Sequence, residues 1–451
     1  MSKTVLAIDI GTTNIVCIVA QNDFNNKINI LGIGKSVSSG VKKGSITDID
    51  LASSSIKTAV DLARSGSANS IDETIVSVSG VHTISRRSVG SINIPTGHIT
   101  EKEIKQVLTI ALYDAQIVPE YEAIHVIPLY FKVDNNDSID NPLNMNGSRL
   151  EVYANIITAK KTSLTNIQSA LKSSNLEVSN YVLTSYASTI ATLQEDQKKL
   201  GTAIVDLGGS TSELAVFKNR SIIYNDTLTI GSENITNDLS IMLHTPINAA
   251  SEVKKQYATL LPKTENNQIT KVKIPILGNE HESKEISLDL IQPMIHARVE
   301  EILCLLHDKI KTNNLLNSIH GVVLTGGMSK IPGINILAEK VFENIPIKIS
   351  NPINIQNGYI NFNDPTLSTI VGLLFYGLDT NPTFELDSKG ELRVKQIIVK
   401  EPEIKPVDTV PEKQINTENT TNHDGDLSTI TLEQPKQSSF SKLLKKFGEW
   451  L

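Results

Sequence analysis

A short glycine-containing motif occurs twice in the sequence and constrains the fold more than any other feature. The segment IDIGTTN at Ile8–Asn14 returns as VDLGGST at Val205–Thr211. Each copy lies between two apolar runs, which is typical of a β-hairpin whose tip carries the glycine and hydroxyl residues. Two such hairpins, widely separated along the chain, predict two related halves that face each other.

Most of the remaining sequence up to about Asn381 alternates between strand and helix patterns. Apolar β-branched runs at Thr74–Gly80 and Gly321–Gly327 predict buried strands, and the spacing of apolar residues in Ile49–Gly66 predicts a helix. With 451 residues, of which 39% are hydrophobic, the chain is long enough for two or more lobes. The sequence therefore predicts a large α/β protein.

Composition excludes several kinds of function. The formal charge is −7, from 42 basic and 49 acidic residues, so no nucleic-acid partner is expected. Cys17 and Cys304 lie far apart without a CxxC companion, which predicts reduced thiols. The nine histidines do not follow metal-ligand spacings, so no zinc site is expected.

The two motifs have the chemistry of a phosphate site. A turn of Gly, Ser and Thr exposes backbone N–H groups that can donate to a polyphosphate. Asp9 and Asp206 end the preceding strands, and Mg²⁺ prefers one or two carboxylates with water and phosphate oxygens. In Val323–Ile334, a strand ending at Gly326–Gly327 would let the backbone approach a base or ribose, with a helix after Pro332. Each motif alone is more often a structural turn, but together they favour a site.

These motifs resemble those of a known superfamily. Asp9–Asn14, Asp206–Thr211 and Leu324–Met328 are similar to the two phosphate motifs and the adenosine motif of the actin-fold ATPases. Longer segments at Ser39–Asp50, Asn141–Ala159 and Gly231–Tyr257 resemble the FtsA family of bacterial cell-division proteins more closely. The resemblance covers roughly residues 4–380 and the final helix.

The resemblance implies an α/β, actin-like two-lobed ATPase fold with an inserted α+β domain, a disordered C-terminal linker and a terminal amphipathic helix. It implies ATP and Mg²⁺ as cofactors, with Asp9 and Asp206 holding the metal mostly through water. Asp206 would also organise a Mg²⁺-bound water as the one catalytic residue. The implied nucleotide-binding residues are Asp9, Gly11, Thr12, Thr13, Asn14, Asp206, Gly208, Gly209, Ser210, Thr211, Gly231, Lys254, Gly326, Gly327 and Met328.

The expected inserted domain contains a helix that begins after Thr100, with Glu103 as its capping-box partner, and two strands. In the FtsA family this domain serves self-association and partner contacts, although the residues alone fit a plain αβ insertion equally well. The expected boundaries are lobe 1 at 1–80, 162–199 and 363–385, the inserted domain at 81–161, the lobe 2 core at 200–229 and 302–362, its small subdomain at 230–301, the linker at 386–438 and the terminal helix at 439–451.

Three positions depart from the family pattern. Several superfamily members position the attacking water with a Glu-Pro pair, where this chain has Thr184–Ser185. Ser251 replaces the glutamate that contacts ribose, and Ser210 stands where glycine is usual in the second phosphate turn. These departures predict nucleotide binding with at most weak ATPase activity.

The segment SFSKLLKKFGEWL at Ser439–Leu451 has the pattern of an amphipathic helix. It could dock on the protein's own surface, enter a partner's groove or lie in a membrane interface. The polar linker weakens the first interpretation, and tryptophan with lysines on the polar side favours the membrane. The predicted membrane-contacting residues are Phe440, Leu443, Leu444, Phe447, Trp450 and Leu451, flanked by Lys442, Lys445 and Lys446.

The combined prediction is an ATP-binding division protein on the cytoplasmic face of the inner membrane at the midcell ring. By resemblance, the small subdomain near Ile230–Glu301 would hold the C-terminal tail of the tubulin-like protein FtsZ. Copies of the chain would polymerise head to tail and recruit later division proteins. The alternatives are a phosphotransferase or hydrolase of the same fold and a pilus-assembly scaffold of the same superfamily.

Overall fold

The computed structural model describes residues 3–22, 27–65, 70–262, 270–343, 345–353, 355, 361–380 and 384–394, with the backbone alone for 279–281. The chain divides into two units, Met1–Ile397 and Ile398–Leu451, and all described residues belong to the first. The predicted linker beyond residue 394 and the terminal helix at 439–451 lie outside the described residues.

The strands of the described part, in chain order, are β1 (Thr4–Ile10), β2 (Asn14–Asn22), β3 (Ile28–Val37), β4 (Val41–Lys42), β5 (Ser45–Ile46), β6 (Glu73–Val78), β7 (Thr83–Asn93), β8 (Tyr121–Val133), β9 (Asn136–Ile139), β10 (Arg149–Lys160), β11 (Asn180–Leu183), β12 (Thr202–Leu207), β13 (Ser212–Lys218), β14 (Ser221–Leu228), β15 (Lys271–Ile276), β16 (Asn279–Ser287), β17 (Val322–Thr325), β18 (Ile347–Ile349), β19 (Glu385–Leu386) and β20 (Leu392–Arg393).

The α-helices of the described part are α1 (Ile49–Arg64), α2 (Glu101–Asp114), α3 (Lys161–Leu171), α4 (Thr184–Thr192), α5 (Glu195–Leu200), α6 (Ser232–Met242), α7 (Ile247–Tyr257), α8 (Leu288–Thr312), α9 (Ile334–Val341) and α10 (Ser368–Gly377). None of these helices is long and apolar enough to cross a bilayer.

Two five-stranded sheets have the same topology. The first has the order β3-β2-β1-β6-β11 and the second has the order β14-β13-β12-β17-β18. In each sheet the first two pairings of that order are antiparallel and the last two are parallel. The repeated motif forms the turn between β1 and β2 in one sheet and between β12 and β13 in the other. The prediction of two related halves built around glycine-containing hairpins is confirmed.

Each half has its own apolar core. In lobe 1, helices α1, α4 and α10 pack on the first sheet, and in lobe 2 the core lies between the second sheet and helices α6 to α9. The helix predicted in Ile49–Gly66 is α1, with Asp48 as its N-cap. The strand predicted in Gly321–Gly327 is β17, followed by a 3-10 turn and then α9.

The inserted domain is built on the sheet β20-β19-β8-β10-β7, and α2 packs on β7 and β10. The predicted capping box is present at the start of α2, where the Glu103 carboxylate accepts a hydrogen bond from the Thr100 backbone N–H at 2.9 Å. The two predicted strands are β8 and β10. This domain has a third core of its own, formed by the apolar faces of α2 and the sheet.

The predicted start of the linker, at residue 386, is wrong because the folded part of the chain continues beyond it. Residues 385–393 form the β19–β20 hairpin, and Leu386 pairs with Val126 of the inserted domain. Glu385 is buried and accepts a hydrogen bond from the Tyr186 hydroxyl at 2.7 Å. The sequence suggested a linker because this hairpin has few apolar side chains, but buried polar contacts stabilise it.

One other boundary was wrong. The break predicted at residue 301, between the small subdomain and the core of lobe 2, falls inside α8. This 25-residue helix packs on α6, α7 and β16 and also on α9, so it belongs to both parts. The sequence pattern of a continuous helix does not show where its packing partners change.

Replacing Gly372 with alanine is expected to lower the free energy of unfolding by about 1–3 kcal/mol. A Cβ at Gly372 of α10 would lie 1.8 Å from the backbone oxygen of Ala187 in α4, so the two helices would have to separate. Urea denaturation measures the change. The matched control is Gly321→Ala, whose Cβ would lie 3.6 Å from the nearest atom, the backbone oxygen of Pro346, and should change stability by no more than about 0.5 kcal/mol. Equal stability of the two variants would contradict the expected crowding.

Candidate functional site

A cavity of about 760 Å³ lies between the two repeated hairpins. Residues of both lobes line it. Its wall consists of both hairpin turns, the first turns of α6, part of α7 and the turn after β17. Most of the predicted nucleotide-binding residues lie on this wall, namely Asp9, Gly11, Thr12, Thr13, Asn14, Asp206, Gly208, Gly209, Thr211, Lys254, Gly326, Gly327 and Met328.

Two predicted residues do not line the cavity. Gly231 lies behind the second turn, where a Cβ would come within 2.4 Å of the backbone oxygen of Gly209, so it supports that turn without facing the space. Ser210 is buried at the tip of the second hairpin, and its backbone N–H donates to the Thr12 hydroxyl at 3.3 Å. Its own hydroxyl has no hydrogen-bond partner within the described part of the chain.

The two hairpin tips contact each other across the cleft. Besides the Ser210–Thr12 hydrogen bond, the Thr13 hydroxyl donates to the Glu233 carboxylate at 3.4 Å. Glu233 lies in the first turn of α6, in lobe 2, whereas Thr13 belongs to lobe 1. The position of one tip therefore depends directly on the position of the other.

Asp206 joins the lobes at the base of the cleft. It lies on β12 of lobe 2, and its carboxylate accepts hydrogen bonds from Ser188 Oγ at 2.6 Å and Thr369 Oγ1 at 3.2 Å, both on lobe 1 helices. Burial raises the pKa of Asp206, and these two hydrogen bonds oppose the rise. Gly326, with φ of +83°, leaves room for this side chain, because a Cβ there would lie 2.4 Å from Asp206 Oδ1.

Asp9 is the counterpart of Asp206 on the first hairpin. Burial raises the pKa of Asp9 to about 7, a hydrogen bond from Ser77 opposes the rise, and the negative charge of Asp206 adds to it. Both carboxyl groups line the same cavity, where their negative charges repel each other. A cation between them would relieve that repulsion.

The structure adds an acidic residue that sequence reasoning missed. Glu213 of β13 lines the same cavity, is buried, and lies directly opposite Asp206 in the hairpin register. Burial raises the pKa of Glu213 to about 8, with a further contribution from the negative charge of Asp206, while hydrogen bonds from Ser79, Gly80 and Ser185 oppose the rise. The sequence signal that could have pointed to Glu213 is that it is the single charged residue inside the apolar run SELAVF.

Lys254 brings the opposite charge to the wall. Its ammonium group donates to the backbone oxygen of Ser232 at 2.8 Å, at the start of α6. Burial lowers the pKa of Lys254 to about 8, the Glu233 carboxylate opposes that fall, and the nearby Lys255 adds to it. Lys254 and both hairpin turns line the same cavity, so this cation and the hairpin amides are both available to a bound phosphate.

The described residues contain no group of three or more His, Cys, Asp or Glu side chains arranged to hold a metal ion. The cleft instead offers the pair Asp9 and Asp206. Such a pair suits a Mg²⁺ ion that takes its remaining ligands from water and phosphate, because Mg²⁺ keeps several waters and needs few protein ligands.

Comparison with known families gives two matches. Residues 203–372 match the family described as "Cell division protein FtsA". Residues 80–158 match "SHS2 domain inserted in FTSA", which agrees with the inserted domain seen between β6 and α3.

Solved structures show the same fold. A protein of the PilM–PilN type IV pilus biogenesis complex aligns with a TM-score of 0.57 at 15% identity, covering 83% of this chain and 98% of that one. MreB5 of Spiroplasma citri bound to ADP aligns with a TM-score of 0.52 at 13% identity, covering 83% and 96%. At these identities the likeness confirms the actin-like fold and no more.

Curated relatives are closer in sequence. The cell division protein FtsA of Helicobacter pylori is 34% identical over 421 residues, 87% of this chain and 85% of that one. The FtsA proteins of Pseudomonas aeruginosa and Bacillus subtilis are 31% and 32% identical, covering 83% and 82% of this chain and 89% and 82% of theirs. From this shared length and the matching inserted domain, the chain belongs to the FtsA family of bacterial cell-division proteins.

Proposed function

We propose that this cell-division protein binds Mg–ATP in the cleft between the hairpins, tethers FtsZ filaments to the cytoplasmic face of the inner membrane, self-polymerises and recruits later division proteins. The observation that carries nucleotide binding is the pair of opposed hairpins, each with a carboxyl group at its base and a Gly/Thr turn at its tip, around one cavity. MreB5, which has the same fold, was solved bound to ADP and to AMPPNP.

The residues on the cavity wall fit this ligand. The turns at Gly11–Asn14 and Gly208–Thr211 would donate backbone N–H groups to the phosphates, and Lys254 would add a positive charge. Asp9 and Asp206 would hold Mg²⁺ mostly through water. The bound ion would neutralise phosphate charge. Gly326, Gly327 and Met328 would lie against the adenosine.

The geometry favours ATP as a conformational ligand over rapid hydrolysis. No carboxylate comes from the start of α4, where several superfamily members carry the glutamate that positions water, because the chain has Thr184–Ser185 there. Asp206 and Glu213 remain on the wall, but hydroxyl or N–H donors bind both of them. A ligand that binds one cleft arrangement better than another shifts the population between them, with no need for turnover.

The partners follow from the family and from two parts of the chain. The small subdomain exposes Ile241, Met242 and Leu277, with 69%, 61% and 61% of their surfaces accessible, and we assign the FtsZ C-terminal tail to this subdomain. We assign lipid binding to Ser439–Leu451, which lies outside the described residues. We assign copies of the chain and later division proteins to the actin-like body, including the inserted domain.

The two alternatives are less well supported. A phosphotransferase or fast hydrolase of this fold would need a carboxylate that is free to act as a base. In the cleft, the carboxyl groups of Asp206 and Glu213 already accept hydrogen bonds from hydroxyl or N–H donors. A pilus-assembly protein has the same fold, but it shares 15% sequence identity with this chain, whereas the division proteins share 31–34%.

Titration of the purified chain with a fluorescent ATP analogue, with and without Mg²⁺, tests the proposal. Saturable, Mg²⁺-dependent binding with slow ADP release is expected. Absence of saturable binding would overturn the nucleotide site, and fast stoichiometric ADP release at high turnover would favour the enzyme. A fluorescent fusion in cells should form a midcell ring that disappears when FtsZ is depleted, and a ring independent of FtsZ would argue against tethering.

A further inference from the structure

The buried carboxylate of Glu213 accepts three hydrogen bonds from two segments of lobe 1, one of which leads into the inserted domain. Its Oε1 accepts hydrogen bonds from Ser79 Oγ at 2.9 Å and from the Gly80 backbone N–H at 3.2 Å. Its Oε2 accepts one from the Ser185 backbone N–H at 3.1 Å. Only 3% of Glu213 is accessible to solvent, so each lost bond would leave a buried or half-buried donor without its acceptor.

Two of those donors form the joint of the inserted domain. β6 ends at Val78, Ser79 and Gly80 follow it, and the match to the inserted domain begins at residue 80. Glu213 belongs to β13 of lobe 2. A side chain of lobe 2 therefore fixes the place where the inserted domain leaves lobe 1.

The base of the inserted domain also contacts lobe 2. The buried Asn155 amide of β10 donates to the backbone oxygen of Ile222 in β14 at 3.0 Å. Ser221 Oγ of β14 donates to the backbone oxygen of Pro128 in β8 at 2.8 Å. β14 is the edge strand beside β13. The domain is inserted into lobe 1 along the chain but is hydrogen-bonded to the sheet of lobe 2.

Glu213 links these contacts to the cleft. It lies two residues beyond Thr211 of the second turn and pairs with Asp206 across the hairpin. The proposed phosphate and Mg²⁺ contacts act on that same turn and on Asp206. Any shift of the second hairpin on nucleotide binding moves the Glu213 carboxylate and, through its hydrogen bonds, the joint at Ser79–Gly80.

We infer that Glu213 is a positioning residue that couples nucleotide occupancy of the cleft to the placement of the inserted domain, with Asn155 as a second attachment at the base of that domain. This inference rests on the proposed nucleotide binding. Since coupling between two sites is reciprocal, a protein bound to the inserted domain would change ATP affinity by the same factor by which ATP changes the affinity for that protein.

Hydrogen exchange of the full chain tests the coupling. It is measured without nucleotide and with saturating Mg–ATP, so that differences in ATP affinity between variants do not affect the comparison. In the parent, ATP should change the protection of β7, β8 and β10 by about fivefold or more, the low end of typical coupling factors. Glu213→Gln should remove most of that response. Its amide nitrogen cannot accept a hydrogen bond, so at least one of the three donors loses its partner.

Two further variants separate positioning from stability. Asn155→Ala lies outside the cavity wall and should reduce the response of the inserted domain while the hairpin turns still become protected by ATP. Glu177→Gln, at an exposed glutamate, should respond like the parent. A merely structural role would lower the melting temperature of Glu213→Gln and leave the ATP-dependent difference intact, which would overturn the coupling.

The outcomes also distinguish the two proposals. Binding of ATP by the parent without any change in β7, β8 or β10 would overturn the coupling alone. Failure of the parent to bind ATP would overturn the proposed function and the coupling together. If Glu213→Gln does not fold, Asn155→Ala tests the coupling, and an undiminished response of the inserted domain in that variant would overturn it.

Discussion

Replacing Asp206 with asparagine is expected to weaken Mg–ATP binding by about 100-fold or more, equivalent to roughly 2.7 kcal/mol. The substitution removes one of the two negative charges that would hold Mg²⁺ against the phosphates. The asparagine oxygen can still accept hydrogen bonds from Ser188 and Thr369, so the nucleotide-free protein should unfold near the parent's midpoint. Loss of affinity without loss of stability is the signature of a ligand-binding charge.

The measurement is equilibrium titration with ATP at fixed Mg²⁺, together with thermal melting with and without nucleotide. Asp206→Ala is the contrasting variant, since it leaves two buried hydroxyls without their acceptor and should lose about 1–3 kcal/mol of stability as well. Asp196→Asn, at an exposed aspartate, controls for the change in net charge. If Asp206→Asn bound Mg–ATP within about threefold of the parent, the assignment of Asp206 to the metal would fail.

The second large effect is expected at the membrane. Trp450→Glu should weaken binding to anionic vesicles by about 100-fold, because it removes a large apolar side chain from the interface and adds a charge that anionic lipid repels. Six such apolar residues, half buried, would contribute roughly 5–9 kcal/mol in total, so the loss of one is a substantial fraction.

Vesicle co-sedimentation of the full chain gives the affinity directly. Trp450→Phe is the matched control, since it keeps an aromatic apolar group and should bind within about threefold of the parent. Binding should also fall with added salt, because the lysines at 442, 445 and 446 contribute about 1 kcal/mol each near anionic lipid. Equal vesicle binding by Trp450→Glu and the parent would rule out the membrane role of this segment.

The central parts of the fold could be predicted because local patterns determine them. The hairpins at Asp9 and Asp206 were predictable from apolar runs that flank glycine turns, and so was their meeting at one cleft, since repeated motifs indicate repeated halves. The helix after Thr100 was predictable because its capping box is a local signal.

The missed features depend on contacts between distant segments. Glu213 is a buried carboxyl group whose donors, Ser79, Gly80 and Ser185, are at least 28 residues away in sequence. The β19–β20 hairpin has too few apolar residues to be recognised, and a buried carboxylate at Glu385 anchors it. Local propensity contains no information about either arrangement.

The β19–β20 hairpin has a mechanical consequence. β20 is the last element of the described chain, and the Arg393 guanidinium at its end lies 4.0 Å from the centre of the Tyr376 ring in lobe 1. A force that pulls on the chain beyond Val394 would load the contact of this arginine with lobe 1 and the Leu386–Val126 pairing with the inserted domain. The hairpin would therefore distribute traction between lobe 1 and the edge of the inserted domain.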